Sequence, residues 1–380
     1  MDSTLLLGAR HDAVGHKADL LQLCIRDTIF LLYLDQLMKS DRVTSKQVAL
    51  HAGVSQAAVS RVFTPGASVS SKTADKVRYS ASKLGYRPNI LARSLITGKS
   101  RIIGLVVAYL ENQFYPEALE KLSSSLQLHG YHVLIFMTSN DSQANQTVID
   151  ELLDYQVDGI ITASVSMSNA LTARCEAAGI PIILFNRMQD DARLSGVSSD
   201  NFRGGYKLAE FLIAGGHRRI AHIAGWLGAA TQRDREAGFL SCLANHGMSL
   251  FRRTEGNFER AEAQRATRAL FDSSEVPDAV FVGNDHMAFA TMDVVRFDLG
   301  LRVPEDVSIV GYDDVALAAW PSYNLTTVRQ PANRMVAETV RLLLARVEDP
   351  NAKRRRVLID GPLIIRSSAK QPEGPYNARF

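Results

Sequence analysis

Residues 43–63 read Val-Thr-Ser-Lys-Gln-Val-Ala-Leu-His-Ala-Gly-Val-Ser-Gln-Ala-Ala-Val-Ser-Arg-Val-Phe, a pattern of two short helices joined at Gly53. Thr44 and Gln47 stand at capping-box spacing, in which hydroxyl and amide each satisfy a backbone N–H left over at a helix start. Val48, Ala49 and Ala52 make a small apolar face whose alanines let a second helix cross closely. Gly53 supplies the left-handed residue that ends a helix at low steric cost, and Ser55 caps the next one. With Val59 and Val62 turned inward, Gln56, Ala57, Ser60 and Arg61 face out from the first turns of the second helix, where a recognition helix presents side chains to base edges. A helical hairpin in an ordinary core would share the apolar spacing, but the surrounding charge argues against it. Lys39 to Arg101 holds twelve Lys/Arg against two Asp, the footprint of a phosphate-binding module. The whole chain carries only +3, so the remainder is near −7. A basic head sits on an acidic body.

At 380 residues, with 46% hydrophobic and 22% charged side chains, the chain can bury a large core and should hold more than one domain. Cys24, Cys175 and Cys242 are too widely spaced for a metal site and read as reduced thiols of a cytoplasmic protein. Leu5 to Leu7 is too short for a signal peptide. Leu20 to Leu37 carries Arg26, Asp27 and Asp35 and makes a poor membrane span. Residues 1–37 are an N-terminal extension of unknown role. Leu20, Leu23, Phe30, Leu31 and Leu34 could line one amphipathic helix, but the favoured reading is that translation begins at Met38.

Thr64-Pro65-Gly66 is a turn. Ser70 or Ser71 can cap a third helix, with Ala74, Val77, Ala81 and Leu84 at helical spacing and Gly85 closing it. Lys72, Lys76, Arg78 and Lys83 lie mostly on the other face, as a solvated surface or as phosphate contacts. After Pro88, Ile90 to Ile96 would form under two helical turns, marginal alone and suited to ordering against DNA or a partner. Leu91, Leu95 and Ile96 beside Arg93 fit an apolar wedge in a minor groove, with a plain linker as the alternative. Thr97-Gly98-Lys99-Ser100 imitates the end of a P-loop, but the required earlier glycine falls at Arg93.

Val43-Thr44, Val48-Ala49, Ala52-Gly53-Val54-Ser55 and Val59-Ser60-Arg61-Val62, followed by Leu84-Gly-Tyr-Arg-Pro-Asn89 and Ala92-Arg-Ser-Leu95, resemble the head and hinge of the lactose-repressor/galactose-repressor (LacI/GalR) family. The resemblance runs from about Val43 to about Ala369. It implies an all-α helix-turn-helix head at residues 38–86 and a hinge at 87–100. It further implies a two-lobed, periplasmic-binding-protein-like α/β body with parallel sheets at 101–369, leaving 370–380 as a flexible tail. Its implied DNA-contact set is Thr44, Ser55, Gln56, Ala57, Ser60 and Arg61 in the head, with Asn89, Ala92, Arg93 and Leu95 in the hinge. Gln56 and Ala57 hold the specificity positions and Leu95 matches the minor-groove lever. Ala57 departs from members with a longer polar residue there and can at most touch a thymine methyl, so no operator sequence follows.

From Ile102 short apolar runs alternate with helical stretches, the pattern of parallel α/β construction. Candidate strands are Ile102–Val107, His132–Phe136, Gly159–Thr162, Ile182–Phe185, Ile220–Ala224, Ala279–Val282 and Val307–Val310, with helices such as Glu117–Leu128, Arg203–Ala214 and Met287–Leu299 between them. So many βα units exceed one sheet and favour two lobes, with ligand in the cleft and closure as the motion. Open α/β sheets bind ligands beyond the carboxyl ends of their strands. There stand Glu111 to Tyr115, Asn186-Arg187, Asn284-Asp285 and Asp313-Asp314, with Arg233 and Arg235 ahead of Gly238. By resemblance Asn112, Phe114, Arg187, Arg235, Asp285 and Asp313 match effector-contacting positions. Each also has a structural reading: Asn284 or Asp285 as a helix cap, Asp314 as a turn holder, Phe114 and Tyr115 as core, Arg233 as a surface cation. Arg187 and Arg235 together could grip a carboxylate or phosphate, so a sugar, a sugar acid or a sugar phosphate all fit.

No Gly-x-Gly-x-x-Gly follows a strand, and neither Gly-x-Ser-x-Gly nor His-Glu-x-x-His occurs. Asp313 with His286 has no nucleophile to serve, so catalysis is not expected, nor a cofactor or metal. The expectation is a cytoplasmic, ligand-responsive transcriptional regulator that binds operator DNA as a homodimer, without membrane contact. A periplasmic-type sugar-binding protein is the alternative for the body alone. The tail lacks a leucine heptad, which leaves the dimer as the expected assembly. Arg354-Arg355-Arg356 is expected to cap the last helix at the surface.

Overall fold

A computed structural model describes residues 43–64, 66–87, 99–138, 142–165 and 169–373. The chain divides into two compact units, residues 1–92 and 93–380. The N-terminal extension, the hinge residues Asn89, Ala92, Arg93 and Leu95, and the end of the tail lie outside the described residues.

In the first unit α1 spans Ser45–Ala52, α2 Gln56–Val62 and α3 Ser71–Leu84. The capping box forms: Gln47 N–H donates to Thr44 Oγ1 (3.3 Å) and Thr44 N–H to Gln47 Oε1 (2.8 Å). Gly53 is left-handed (φ 66°), and Val54 N–H reaches back to the Ala49 carbonyl at 3.0 Å, satisfying a carbonyl at the helix end. Ser55 accepts from Ala58 N–H and caps α2; of the two serines available, Ser70 caps α3. Val48, Ala49, Ala52, Val59, Val77 and Ala81 form the core, closed at one end by Phe63 and Tyr86 with ring centroids 5.8 Å apart. Small side chains on α1 let three short helices share so thin a core.

The second unit contains two six-stranded sheets. The first runs β11-β5-β4-β3-β1-β2, from β1 (Ile102–Val107), β2 (His132–Met137), β3 (Gly159–Ala163), β4 (Ile182–Phe185), β5 (Ser195–Ser199) and β11 (Arg356–Ile359), all parallel. The second runs β12-β10-β9-β8-β6-β7, from β6 (Ile220–Ala224), β7 (Arg252–Glu255), β8 (Ala279–Val282), β9 (Ser308–Asp313), β10 (Thr326–Arg329) and β12 (Leu363–Ile364), with β12 antiparallel to β10. Helices α4 (Phe114–Leu128), α5 (Ser142–Asp154) and α6 (Asn169–Ala177) serve the first lobe. Helices α7 (Asn201–Ala214), α8 (Ala230–Asn245), α9 (Arg260–Phe271) and α10 (Asp285–Asp293) serve the second. The chain crosses between lobes after β5, after β10 and after β11. The second crossing delivers α11 (Ala332–Glu348) back onto β3, β4 and β5. A third crossing is what makes each lobe discontinuous in sequence.

Both lobes begin with the same device. Asp158, just ahead of β3, accepts from Ser100 N–H (2.8 Å), Ser100 Oγ (3.0 Å) and Arg101 N–H (3.1 Å). Asp278, just ahead of β8, accepts from Arg218 N–H (3.1 Å) and Arg219 N–H (3.2 Å). In each case one carboxylate satisfies the successive backbone donors that precede the lobe's first strand. In the second lobe α7 and α8 cross backbone to backbone: a Cβ on Gly238 would lie 1.9 Å from the Phe202 carbonyl oxygen.

The seven strands expected from apolar runs are present, but β9 continues through Gly311 and Tyr312 to Asp313, and α10 gives way to a π-helical turn at Val294–Asp298. Five strands carried no such signal. β5 is Ser-Gly-Val-Ser-Ser and fully buried, its polarity absorbed where Ser198 Oγ donates to the Asn186 carbonyl at 2.7 Å. The Arg354–Arg356 run does not cap α11, which ends at Glu348. Arg356 opens β11 and donates to the Gln189 and Asp191 carbonyls, while Arg354 pairs with Glu176. Among the described residues no helix is long and apolar enough to cross a membrane.

Candidate functional site

In the head, Gln56, Ala57, Ser60 and Arg61 are all exposed along one side of α2, and Thr44 and Ser55 are exposed at the two caps. Gln56 Nε2 donates to Ser45 Oγ at 2.9 Å, tying the start of α2 to the start of α1. Residues 43–87 carry seven Lys/Arg, every one exposed, and a single acid, Asp75. A helix end offering polar side chains inside a cationic rim suits a polyanion whose grooves expose hydrogen-bonding edges.

In the body, the expected effector residues sort into three roles. Asp313 is the hub. It is 3% exposed at the carboxyl end of β9, in a backbone conformation (φ 129°) that L-residues rarely adopt. Its carboxylate accepts from Arg235 Nη2 (3.3 Å) and Gln330 Nε2 (2.7 Å) at Oδ1, and from Asn112 Nδ2 (3.0 Å) at Oδ2. Asn112 belongs to the first lobe, Asp313 to the second and Gln330 to a crossover, so one buried carboxylate ties all three. Asn112 Oδ1 in turn accepts from Phe114 N–H, setting the start of α4.

Arg235 positions Asp313. Its Nε donates to Asn201 Oδ1 (2.9 Å), Nη1 to the Gly283 carbonyl (2.7 Å) and Nη2 to Asp313, and its Cζ stacks 3.7 Å from the Tyr312 ring centre. Asp285 braces the same turn from beneath. Fully buried, it shares a 2.7 Å hydrogen bond with the Thr327 hydroxyl and accepts from Val315 N–H at 3.1 Å. Burial first, and then the neighbouring Asp313 charge, pushes its carboxyl up to about 8. Three donors around Asp313 make that residue the ionised member of the pair. Asn284 is the cap of α10, accepting from Met287 N–H at 3.0 Å. Asp314 ties the turn to Arg329 (2.5 Å) and Arg366 (2.7 Å), and Arg233 is exposed.

Arg187 and Phe114 are the contact surfaces. Arg187, 3% exposed, donates to the Ser164 carbonyl (2.8 Å), and its Cζ lies 5.4 Å from the Trp226 ring centre on the other lobe. Phe114 stacks on Phe185 and edges onto Tyr115. With Glu117, Lys121, Asp313, Val315 and Gln330 among others, it lines a recess of ≈ 300 Å³. Burial holds the Tyr109 phenol well above its ordinary range and keeps His286 below its own, so both are neutral. Ser164 Oγ, Asn186 Oδ1 and Gln330 Oε1 are buried without a hydrogen-bond partner among the described residues. Unfilled acceptors where strands end are what a removable ligand leaves behind.

The sequence reading did not include Gln330, Asn201, Trp226, Tyr109 or Ser164. Gln330 follows β10, whose Thr-Thr-Val-Arg lacks an apolar run. Ser164 follows the recognised β3 and could have been found by extending the strand-end rule by two residues.

Residues 44–89 match the family model for bacterial regulatory proteins of the lacI family, and residues 209–369 that for a periplasmic binding protein-like domain. The HTH-type transcriptional repressor PurR of Erwinia tasmaniensis is 32% identical over 337 residues, covering 88% of this chain and 98% of that protein. The PurR of Vibrio atlanticus is 31% identical, covering 86% and 98%. Among solved structures, the lac repressor dimer bound to operator and the anti-inducer ONPF superposes with a TM-score of 0.77 at 28% identity, covering 86% of this chain and 99% of that one. The transcriptional regulator CelR in complex with cellobiose gives 0.65 at 30% identity, covering 86% and 100%. The chain therefore belongs to the lacI family of bacterial regulatory proteins, and it is a DNA-binding transcriptional regulator and not an enzyme.

Proposed function

We propose that the protein is a repressor that binds a pseudo-palindromic operator as a homodimer and changes its operator affinity when a small hydroxylated molecule occupies the cleft between its two lobes. The observation that carries this reading is Asp313, held by Asn112 from one lobe and by Arg235 from the other and flanked by buried acceptors awaiting donors. A ligand that fills those acceptors binds the closed pose better than an open one, and that difference alone shifts the equilibrium. Thr44, Ser55, Gln56, Ala57, Ser60 and Arg61 serve as the head's DNA contacts, with Asn89, Ala92, Arg93 and Leu95 as the hinge's. The repressor names of the PurR relatives, the lac repressor dimer on its operator and CelR with cellobiose support repression, dimer and sugar-like effector respectively.

The test is binding of the full chain to its own upstream DNA across a salt series, with and without a panel of sugars and sugar acids. Sequence-selective binding with a steep salt slope, altered by one compound, is the expected result. Ligand binding without DNA affinity at any salt would favour a binding protein with an idle head.

A further inference from the structure

The Arg187 end of the cleft narrows the effector's chemistry, an inference that rests on the effector reading above. β4 ends at Phe185, and the chain turns through Asn186 in the left-handed region (φ 69°) while Arg187 N–H donates back to the Phe185 carbonyl at 2.9 Å. That turn directs the guanidinium inward, against the Ser164 carbonyl and under the Trp226 ring of the facing lobe. Ser164 is itself left-handed (φ 67°). Two non-glycine residues in this conformation at adjacent strand ends indicate a site over-determined by its surroundings.

The same two residues carry unfilled acceptors. The Ser164 hydroxyl is fully buried, and Asn186 is 3% exposed with its Nδ2 spent on the Tyr115 hydroxyl at 3.2 Å, which leaves Oδ1 unmatched among the described residues. Gln330 Oε1 repeats the pattern beside Asp313. A planar guanidinium matches a carboxylate fork, and the indole face above it strengthens cation binding in a desolvated site. The neighbouring acceptors demand O–H donors close to the anion. A phosphate end brings further acceptor oxygens to them, whereas a hydroxy acid carries a donor one or two carbons from its carboxylate. Arg235 does not compete for that anion, because each of its three nitrogens already donates within the protein.

We propose that the effector is a polyhydroxy carboxylate, whose carboxylate docks on Arg187 beneath Trp226 and whose hydroxyls donate to Asn186 Oδ1, Ser164 Oγ and Gln330 Oε1. The chain has two tryptophans, so Trp320→Phe leaves Trp226 as the sole reporter over Arg187. The full-length protein in that background is titrated with six-carbon aldonates and uronates, the matching aldoses and the matching sugar phosphates, against a sodium chloride control. At least one acid changes Trp226 emission saturably and binds at least tenfold tighter than its aldose and its phosphate. Arg187→Gln weakens that acid about 100-fold and its aldose less than threefold, with Arg187→Lys intermediate and thermal unfolding unchanged. An aldose or a phosphate binding as tightly as the acid, or equal loss of acid and aldose in Arg187→Gln, overturns the carboxylate while the hydroxylated-effector reading stands. No saturable response to any of the compounds overturns both.

Discussion

Replacing Asp285 by Asn should make the effector lobe more stable and remove a pH dependence that the wild type carries. Asp285 titrates near 8 in the folded chain against an ordinary 3.8. A carboxyl whose folded pKa is raised favours folding fully below the unfolded value, and that contribution is lost as pH rises toward the folded one. At pH 7 the folded chain holds a proton that the unfolded chain released about three units lower, a deficit of about 4 kcal/mol. The amide of Asn fits the same two partners, accepting from Val315 N–H and donating to the Thr327 hydroxyl, so the geometry survives while the titration goes. Urea unfolding followed by tryptophan fluorescence reports this lobe, since Trp226 and Trp320 both lie in it. Between pH 6.5 and 8 the wild type should lose about 2 kcal/mol that the variant keeps. His222, which burial holds down to about 4, is neutral across that range and adds no slope of its own. Parallel pH profiles for the two proteins, or a variant less stable than wild type at pH 8, would refute the reasoning.

Arg61→Ala should weaken binding to the upstream DNA by about 1–3 kcal/mol and leave effector affinity unchanged; filter binding and calorimetry on one preparation check both halves. Gly238→Ala puts a methyl 1.9 Å from the Phe202 carbonyl oxygen, so α7 and α8 must separate. A loss of about 3 kcal/mol is expected, read as a lower urea midpoint with unchanged m. Asp158→Ala strips the acceptor from Ser100 N–H, Ser100 Oγ and Arg101 N–H. It should cost about 2–3 kcal/mol and accelerate hydrogen exchange at those two amides, with Asp278→Ala doing the same at Arg218 and Arg219.

Local chemistry alone determined the head. The Thr44–Gln47 capping box, the left-handed Gly53 and Gly85, the Ser55 cap and the inward Val48 and Val59 all act within one or two helical turns, so residue spacing suffices to read them. The apolar parallel strands, from Ile102–Val107 to Ala279–Val282, were legible for a related reason: buried on both faces, they must be continuously hydrophobic. Tertiary structure decided the rest. β5 and β10 are strands because neighbours already in place offer them hydrogen bonds, not because Ser-Gly-Val-Ser-Ser or Thr-Thr-Val-Arg prefers to extend. The division of labour in the cleft is likewise nonlocal. Arg187 and Arg235 look alike in sequence, but only folding commits Arg235 to Asn201, Gly283 and Asp313, places Arg187 against Trp226, and brings Gln330 across a chain crossing to complete the hub. Spacing along the chain can announce which residues end a strand; which of them hold one another, and which are left for a ligand, depends on partners as much as 201 residues away.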